Sequence, residues 1–204
     1  MSGTDDDDRG VDLDDVVDDY DDLHDGIVID DYDDLDDEDD EDDDYEDATP
    51  EEIDFVIALY REDGEPVAVA LAKPLANDLE DLIEQLRRLP GDAGALAFVS
   101  IAREFFVAVR VRGRNVQVLL NDSVASNDWP IARDVIDFLG LDVPEDDDES
   151  DVVGDLDMLA DAGLSDLDME AMASGYDEDS DDLVRAIVAH LGYDRQVEAA
   201  LAIE

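Results

Sequence analysis

The chain contains no cysteine in 204 residues. This absence excludes disulfides, thiolate metal sites and cysteine nucleophiles, and it favours an intracellular setting. Basic residues are also scarce, because 12 Lys and Arg stand against 64 Asp and Glu, for a formal net charge of −52. So acidic a surface disfavours direct binding to nucleic-acid phosphates and to anionic lipid.

Long apolar runs are missing as well. No stretch approaches the roughly 20 apolar residues that span a bilayer, and residues 1–10 lack the basic and apolar regions of a secretory signal. We therefore expect a soluble, cytoplasmic protein without membrane contact. Its length leaves room for one ordinary domain with appendages, since domains cluster near ~100–150 residues.

The acidic charge is distributed unevenly along the chain. Residues 1–47 contain 27 Asp or Glu against the single Arg9, whereas residues 51–141 contain 16 acids against nine Lys or Arg. Self-repulsion opposes compaction where carboxylates are dense, so residues 1–50 are interpreted as a disordered acidic arm. Salt adaptation is an alternative source of the charge, although the balanced middle argues against it.

Isolated apolar residues interrupt the arm, for example at Ile27, Val28 and Ile29. Acidic-hydrophobic alternation is typical of segments that become ordered on a partner, where apolar side chains dock in a groove and carboxylates face a basic rim. The arm is then a partner-binding segment. The alternative is a solubilising arm that has no partner.

Residues 51–142 have the pattern of a folded α+β domain. Two apolar strands joined by an Asp-Gly turn precede a helix whose leucines are regularly spaced from Leu75 to Leu89. Three further strands follow at residues 96–101, 105–112 and 116–120, the last two joined by a turn that contains Gly113 and Arg114. A final helix is predicted to end at Gly140. The order ββαβββα predicts an antiparallel five-stranded sheet covered by helices on at least one face. It looks like the profilin-like and roadblock-type order, which is an analogy of fold alone.

Side-chain patterns add detail to this domain. The first strand, at residues 55–60, is apolar on both faces and is predicted to be central. The small residues Ala68, Ala70 and Ala72 line one face of the second strand and would let the leucine-rich helix approach closely. The final helix is predicted to present one apolar face, made of Ile131, Val135, Phe138 and Leu139.

The C-terminal quarter divides into a linker and a tail. Residues 143–151 form an acidic, proline-containing linker, and residues 152–204 form a small helical tail. Within the tail, two similar Asp-Leu-Asp-Met segments at residues 155–158 and 166–169 predict short helical turns. A longer helix is predicted to end at Gly192, because glycine accommodates the backbone that ends a helix.

Catalytic patterns are not evident. The two histidines, His24 and His190, lie in the acidic arm and in the last turn of a predicted helix, where neither is poised as a general base. The acid-rich residues 36–47 contain no glycine and so do not match an EF-hand loop. We predict no enzyme activity, no cofactor and no specific metal site.

Three arginines form the best-defined basic feature of the predicted domain. Alternation along a strand places Arg110 and Arg112 on one face, and Arg114 follows in the next turn. These guanidinium groups could bind an anionic partner, RNA phosphate or the protein's own acidic arm. If they bind the arm, removal of residues 1–47 would expose anion binding that the full chain lacks. The alternative is an ordinary solvated face neutralised by nearby carboxylates.

The middle of the chain resembles the tRNA adenosine deaminase-associated proteins of actinobacteria, whose genes usually lie beside that of the deaminase. The resemblance covers most of residues 53–142, and the Asp-Trp-Pro-Ile-Ala-Arg-Asp segment is its most specific part. Parts of the tail are also similar. The segments that resemble the family are residues 55–61, 94–99, 105–113, 128–134, 155–160 and 183–192.

The resemblance implies a partner and gives no catalytic residues. Zinc deaminases need a His-x-Glu and a Pro-Cys-x-x-Cys segment, and this chain has neither. It therefore cannot be the deaminase itself, and in that pathway it would act on the enzyme or on substrate delivery.

Three classes of function follow from these observations. The leading hypothesis is a non-catalytic acidic accessory protein that binds a basic protein surface, such as that of a tRNA adenosine deaminase or another nucleic-acid-binding protein. The alternatives are a homo- or hetero-oligomeric scaffold, which includes a homodimer, and an enzyme that uses carboxylates alone. The candidate binding residues are Arg110, Arg112, Arg114, Ile27, Val28, Ile29 and Trp129.

Overall fold

A computed structural model describes residues 46–91, 93–145, 149–175 and 178–203 of the protein. The strands are β1 (Ile53–Glu62), β2 (Glu65–Ala70), β3 (Ala95–Ile101), β4 (Phe105–Arg112), β5 (Asn115–Leu120) and β6 (Val153–Gly154). The α-helices are α1 (Leu79–Arg88), α2 (Pro130–Leu139), α3 (Asp166–Ala173), α4 (Ser180–His190) and α5 (Asp194–Leu201). Short 3-10 helices span Lys73–Ala76, Ser123–Asn127 and Leu156–Ala162.

The strands form one antiparallel sheet in the order β2-β1-β3-β4-β5-β6. Strand β1 lies between β2 and β3, which confirms that the doubly apolar strand is central. Because β2 and β3 are each antiparallel to β1, they run parallel to each other. The connection between them therefore crosses β1, and α1 supplies that crossover.

Helices cover both faces of the sheet, and each face has its own core. Helices α1 and α2 pack on one face with the first core, whose largest members include Ile53, Leu82, Leu86, Phe105 and Ile131. The C-terminal segments pack on the other face with the second core, whose members include Phe98, Phe106, Leu119, Met158 and Ile187. The tail is thus an integral layer of the fold.

The predicted α+β class and the order ββαβββα are confirmed, but the sheet has six strands where five were predicted. The sixth, β6, consists of two residues that pair with Leu119 and Leu120 of β5. A strand of two residues has no periodicity by which a sequence could reveal it. A Cβ on Gly154 would collide with the carbonyl oxygen of Val118, so only glycine allows this pairing.

Helix α1 begins later than its leucine pattern suggested. Leu75 lies in the preceding 3-10 helix, and the side chain of Asp78 caps α1 by accepting a hydrogen bond from the backbone N–H of Asp81. Acids then occupy the first turn and Arg87 and Arg88 the last turn, as the helix dipole favours.

The predicted apolar face of α2 was wrong at one position. Phe138 is 49% exposed, and Leu139 is only partly buried. The buried residues of α2 are Ile131, Ala132, Val135 and Ile136. These positions form a stripe with a spacing near 3.6 residues, whereas Phe138 lies to one side of it.

The helix that approaches the alanines of β2 is α5, not α1. Ala68 packs into the second core, on the face that the tail covers, and α5 lies against β2 there. Val67, Val69 and Leu71 pack into the first core on the opposite face, where α1 lies against β3 and β4. Among the described residues, no helix combines the length and the apolar composition needed to cross a bilayer.

Candidate interaction surfaces

The predicted arginines lie at one end of the sheet, on the face that the tail covers. Strand pairing aligns Leu59 with Leu96 and Leu96 with Arg110. Since side chains alternate along a strand, Arg61 and Arg112, each two residues further along its strand, lie on the same face and nearer to this end of the sheet. Arg114 lies in the adjoining turn between β4 and β5. These four residues, Arg61, Arg110, Arg112 and Arg114, define the arginine end.

Arg110 attaches the tail to the sheet. Its side chain is only 10% exposed, and it donates hydrogen bonds to the main-chain oxygen of Met158 and to both carboxylate oxygens of Asp161. Arg112 donates a further bond of 3.0 Å to Asp161. The hydrogen bond that Asp161 accepts from Arg110, together with the charges of Arg110 and Arg112, holds the pKa of Asp161 below its ordinary value.

A cavity of about 370 Å³ lies beside this attachment. Tyr193 borders it, and the guanidinium of Arg61 stands 5.6 Å from the centre of the tyrosine ring, within range of a cation–π contact. The Tyr193 hydroxyl donates to the main-chain oxygen of Tyr60 over 3.3 Å, and burial raises the pKa of that phenol. The guanidinium of Arg61 therefore packs against Tyr193 within the protein.

Gly94 allows the chain to pass closely beneath the arginine end. Its φ is +81°, and a Cβ there would collide with the carbonyl oxygen of Val111 and stand 2.6 Å from Cγ of Arg112. This position therefore requires glycine. Arg110 is buried against Asp161, whereas Arg112 pairs with the same carboxylate from an exposed position. Anion binding by Arg110, Arg112 and Arg114 stays a prediction.

The other candidate binding residues lie elsewhere. Trp129 precedes α2 and packs on Phe105, with ring centroids 5.9 Å apart, so it contributes to the first core. Ile27, Val28 and Ile29 fall outside the described residues.

Carboxylates gather at the opposite end of the sheet. A pocket of about 570 Å³ lies there, bordered by four separate segments of chain. Its acidic members, which define the acidic end, are Glu104, Asp122, Glu149, Asp151 and Glu178. Asp122 receives hydrogen bonds from the Val124 N–H and from the Ser150 hydroxyl, whereas no ion pair to these five carboxylates is found among the described residues.

A strained turn borders the acidic end. Between β3 and β4, Ala102 and Arg103 both have positive φ, at 54° and 59°. Such angles favour glycine or asparagine, as in a type I′ turn. The turn is held by three contacts: Ala102 N–H donates to the Glu52 carbonyl, Arg103 N–H donates to the Asp54 carboxylate, and Ser180 N–H donates to the Arg103 carbonyl.

The last residues of the predicted arm, 46–50, lie near this same end. Glu52, which accepts from Ala102, also accepts from the Thr49 N–H and hydroxyl. Ala48 is buried and exchanges hydrogen bonds with the Asn77 side chain. The first described residue, Glu46, immediately precedes these contacts. These contacts hold the start of the described chain beside the acidic end of the sheet.

A further acidic group stands at the start of α4. Carboxylate oxygens of Asp179, Asp181 and Asp182 lie within 4.8 Å of one another, close enough to hold a cation. They are already engaged, because Arg103 pairs with Asp179 and Arg185 pairs with the other two. The geometry gives no reason to assign a metal here.

The strand pattern predicted the group of arginines, whereas no sequence pattern predicted the acidic end. Its five carboxylates lie on segments separated by up to 74 positions, and no local pattern connects them. One signal was available. Where a tight hairpin turn favours Asn-Gly, the sequence has Ala102-Arg103, and strained backbone tends to cluster at functional sites.

Comparison with known proteins gives one family and one curated relative. A family model described as Rv3753c-like tRNA adenosine deaminase-associated protein matches residues 54–194. Protein Rv3753c of Mycobacterium tuberculosis (strain ATCC 25618 / H37Rv) is 28% identical over 150 residues, which cover 72% of this chain and 87% of that protein. No solved structure matches the chain.

Proposed function

The chain belongs to the Rv3753c-like tRNA adenosine deaminase-associated protein family, and from this premise we propose a non-catalytic accessory protein that binds a basic protein surface. The partner that the family description favours is a tRNA adenosine deaminase. Another basic nucleic-acid-binding protein would meet the same chemical requirement. The proposed setting is the cytoplasm, where tRNA is handled.

The observation that carries this proposal is the different use of the two signs of charge. The described residues include 33 Asp and Glu against 11 Lys and Arg. Six of those 11 cations are in ion pairs within the protein. The pocket of the acidic end has no such pairing among the described residues. The surface left for a partner is therefore negative, and a complementary partner surface is basic.

Binding would proceed in two steps. The combined field of the arm and the acidic end steers a basic partner and accelerates the encounter, an effect that salt screens. Apolar residues of the arm, such as Ile27, Val28 and Ile29, then dock on the partner. A tRNA-binding enzyme has a basic surface that contacts phosphates, so an acidic partner would compete with tRNA or shield that surface until tRNA arrives.

An accessory role agrees with the composition. Deamination by the zinc mechanism needs thiolate ligands and a glutamate proton shuttle, and this chain has no cysteine and no His-x-Glu segment. His190 lies in the last turn of α4, with its ring nitrogen 3.3 Å from the Gly163 carbonyl oxygen, so it contributes a local contact.

The experiment is a binding titration between the full chain and the tRNA adenosine deaminase encoded in the same genome. A variant with the nine aspartates between residues 33 and 44 changed to asparagine tests the arm, and the same positions changed to glutamate form the matched control. We expect the asparagine variant to bind about tenfold more weakly at low salt, with a reduced salt dependence. The glutamate variant keeps the charge and should bind like the native chain.

Two outcomes would contradict the proposal. If the native chain does not bind the deaminase at any salt concentration, and no other basic protein is captured in a salt-dependent way, the accessory role fails. Sedimentation of the full chain would then test the scaffold alternative, which requires self-association. If the asparagine variant binds like the native chain, the arm is a solubiliser.

A further inference from the structure

A groove separates α1 and α2 on the face of the sheet opposite the tail. It has a volume of about 500 Å³, and its apolar lining is contributed by Leu79, Ile83, Val116 and Phe138. Phe138 is 49% exposed in this groove. Leu141, three residues further on, is 45% exposed, so the end of α2 presents apolar surface to solvent.

Carboxylates border the apolar lining on both sides. Asp78 and Glu80 lie at the start of α1, Asp134 and Asp137 lie on α2, and Arg87 is the one cation among the lining residues. A segment that fills this groove must therefore bring apolar side chains for the floor and cations for the rim. Neither an acidic nor a purely apolar segment fits both requirements.

Asp134 is the carboxylate of this groove that is best placed to favour a ligand with a cation over one without. It is partly buried, and it accepts a 3.0 Å hydrogen bond from the Leu79 N–H. Burial raises its pKa despite that hydrogen bond, and the charges of Asp78 and Asp137 add to the shift. A cation from outside would relieve this repulsion, since no ion pair to Asp134 is found among the described residues.

We infer that this groove docks an amphipathic basic helix of the partner protein, with an apolar side chain against Phe138 and an Arg or Lys against Asp134. This inference rests on the proposed function, which supplies the identity of the partner. It adds that the groove of this chain would contact a basic helix of that partner. Such docking follows the helix-in-groove mode, in which residues at i, i+3 or i+4 and i+7 face the groove.

The shape of the groove favours a helix over an added strand. An added strand needs exposed backbone N–H and C=O groups at a sheet edge, but the groove is lined mainly by side chains of α1 and α2, and Val116 is the one lining residue that a strand contributes. The walls are two ten-residue helices, each about 15 Å long at 1.5 Å per residue. That length accommodates nearly three turns of a third helix.

The test uses the full chain and two ligands. One is a synthetic 15-residue alanine-based helix with a leucine stripe flanked by arginines, and the other is the deaminase encoded in the same genome. Phe138→Ala removes the exposed apolar contact, and Asp134→Asn removes the charge but keeps an oxygen for the Leu79 N–H. The controls are Leu167→Ala, which truncates a side chain that is 72% exposed on α3, and Glu170→Gln, which neutralises an exposed acid on that helix.

We expect Phe138→Ala to weaken peptide binding about tenfold and Asp134→Asn about threefold to fivefold, while both controls bind like the native chain. Equal losses in the groove variants and the controls would show general attraction to an acidic surface and would overturn the inference. So would binding that is unchanged in both groove variants.

The deaminase separates this inference from the proposed function. If the native chain binds the peptide through the groove but does not bind the deaminase, the groove is supported and the deaminase partnership fails. If the deaminase binds and both groove variants leave that affinity unchanged, the partnership stands and the groove inference is wrong.

Discussion

The two ends of one antiparallel sheet have opposite electrostatic character. At the arginine end, Arg110 is buried and bonded to Asp161 and Met158, and it attaches the tail to the sheet. At the acidic end, five carboxylates border a pocket without an ion pair among the described residues. Arg110 thus helps to build the fold, whereas the carboxylates of the acidic end have no cationic partner among the described residues.

The hairpin turns at the two ends also differ in the residue types that adopt positive φ. At the arginine end, Asp63, Gly64 and Gly113 adopt positive φ, which glycine and aspartate tolerate better than most residues do. At the acidic end, Ala102 and Arg103 adopt positive φ without glycine, and hydrogen bonds from neighbouring segments hold the turn. Backbone strain of about 1–3 kcal/mol per residue is expected for such positions. The turns at the arginine end are therefore expected to carry less backbone strain than the turn at the acidic end, which lies beside the carboxylates proposed to attract a basic partner.

The largest expected effect tests whether the arginine end stabilises the fold. Arg110→Met leaves the Met158 carbonyl without its donor inside the second core and leaves Asp161 with Arg112 alone. We expect the free energy of unfolding to fall by about 2 kcal/mol, as for a buried polar group that loses its partner. Urea denaturation followed by circular dichroism measures this change.

The matched control for this prediction is Arg112→Gln, since Arg112 is exposed and also bonds Asp161. It should change stability by less than about 1 kcal/mol, because exposed ion pairs contribute little. Equal losses in the two variants would mean that the end acts through its total charge and not through the buried bond.

An intermediate effect tests the strain at the acidic end. Changing Ala102→Asn together with Arg103→Gly supplies residues that tolerate positive φ, and we expect the free energy of unfolding to rise by about 1 kcal/mol. The exposed 3.8 Å pair between Arg103 and Asp179 is lost, which costs little. Thermal denaturation measures the gain, and Asp63→Asn in the first hairpin is the control, which should be nearly neutral. A lower midpoint in the double variant would show that the turn is not strained.

The smallest effect concerns the pH dependence of the arginine end. The pKa of Asp161 is lowered in the folded state, so its ionised form adds stability at pH values above the ordinary aspartate pKa of about 4. That contribution is lost as pH falls through the lowered pKa. Asp161→Asn should therefore be less stable than the native chain at pH 7, by less than about 1 kcal/mol because the carboxylate is half exposed.

The measurement for Asp161 is a series of urea titrations from pH 7 to pH 2.5. We expect the stability difference between Asp161→Asn and the native chain to shrink towards zero at the acidic limit. A difference that stays constant with pH would show that the asparagine acts through packing and not through charge.

Local patterns predicted most of the secondary structure. Asp63-Gly64 and Gly113-Arg114 marked hairpin turns, and Gly140 marked the end of α2, because few residues tolerate positive φ. Strand β4 was predicted with its observed bounds because its apolar residues are bracketed by turn residues. Local patterns did not predict β6, which is too short to show a period, or the exposure of Phe138, which depends on where α2 lies against its neighbours.

The sequence by itself determined the α+β class, the order of the elements, the uneven distribution of charge and the resemblance to the family. Each depends on residues close together in the chain, where backbone preference and side-chain period act. Only the tertiary structure decided that the tail covers the second face, that Arg110 is buried against Asp161, and that five distant carboxylates form one acidic end. Those outcomes depend on contacts between residues far apart in sequence, which no local preference specifies.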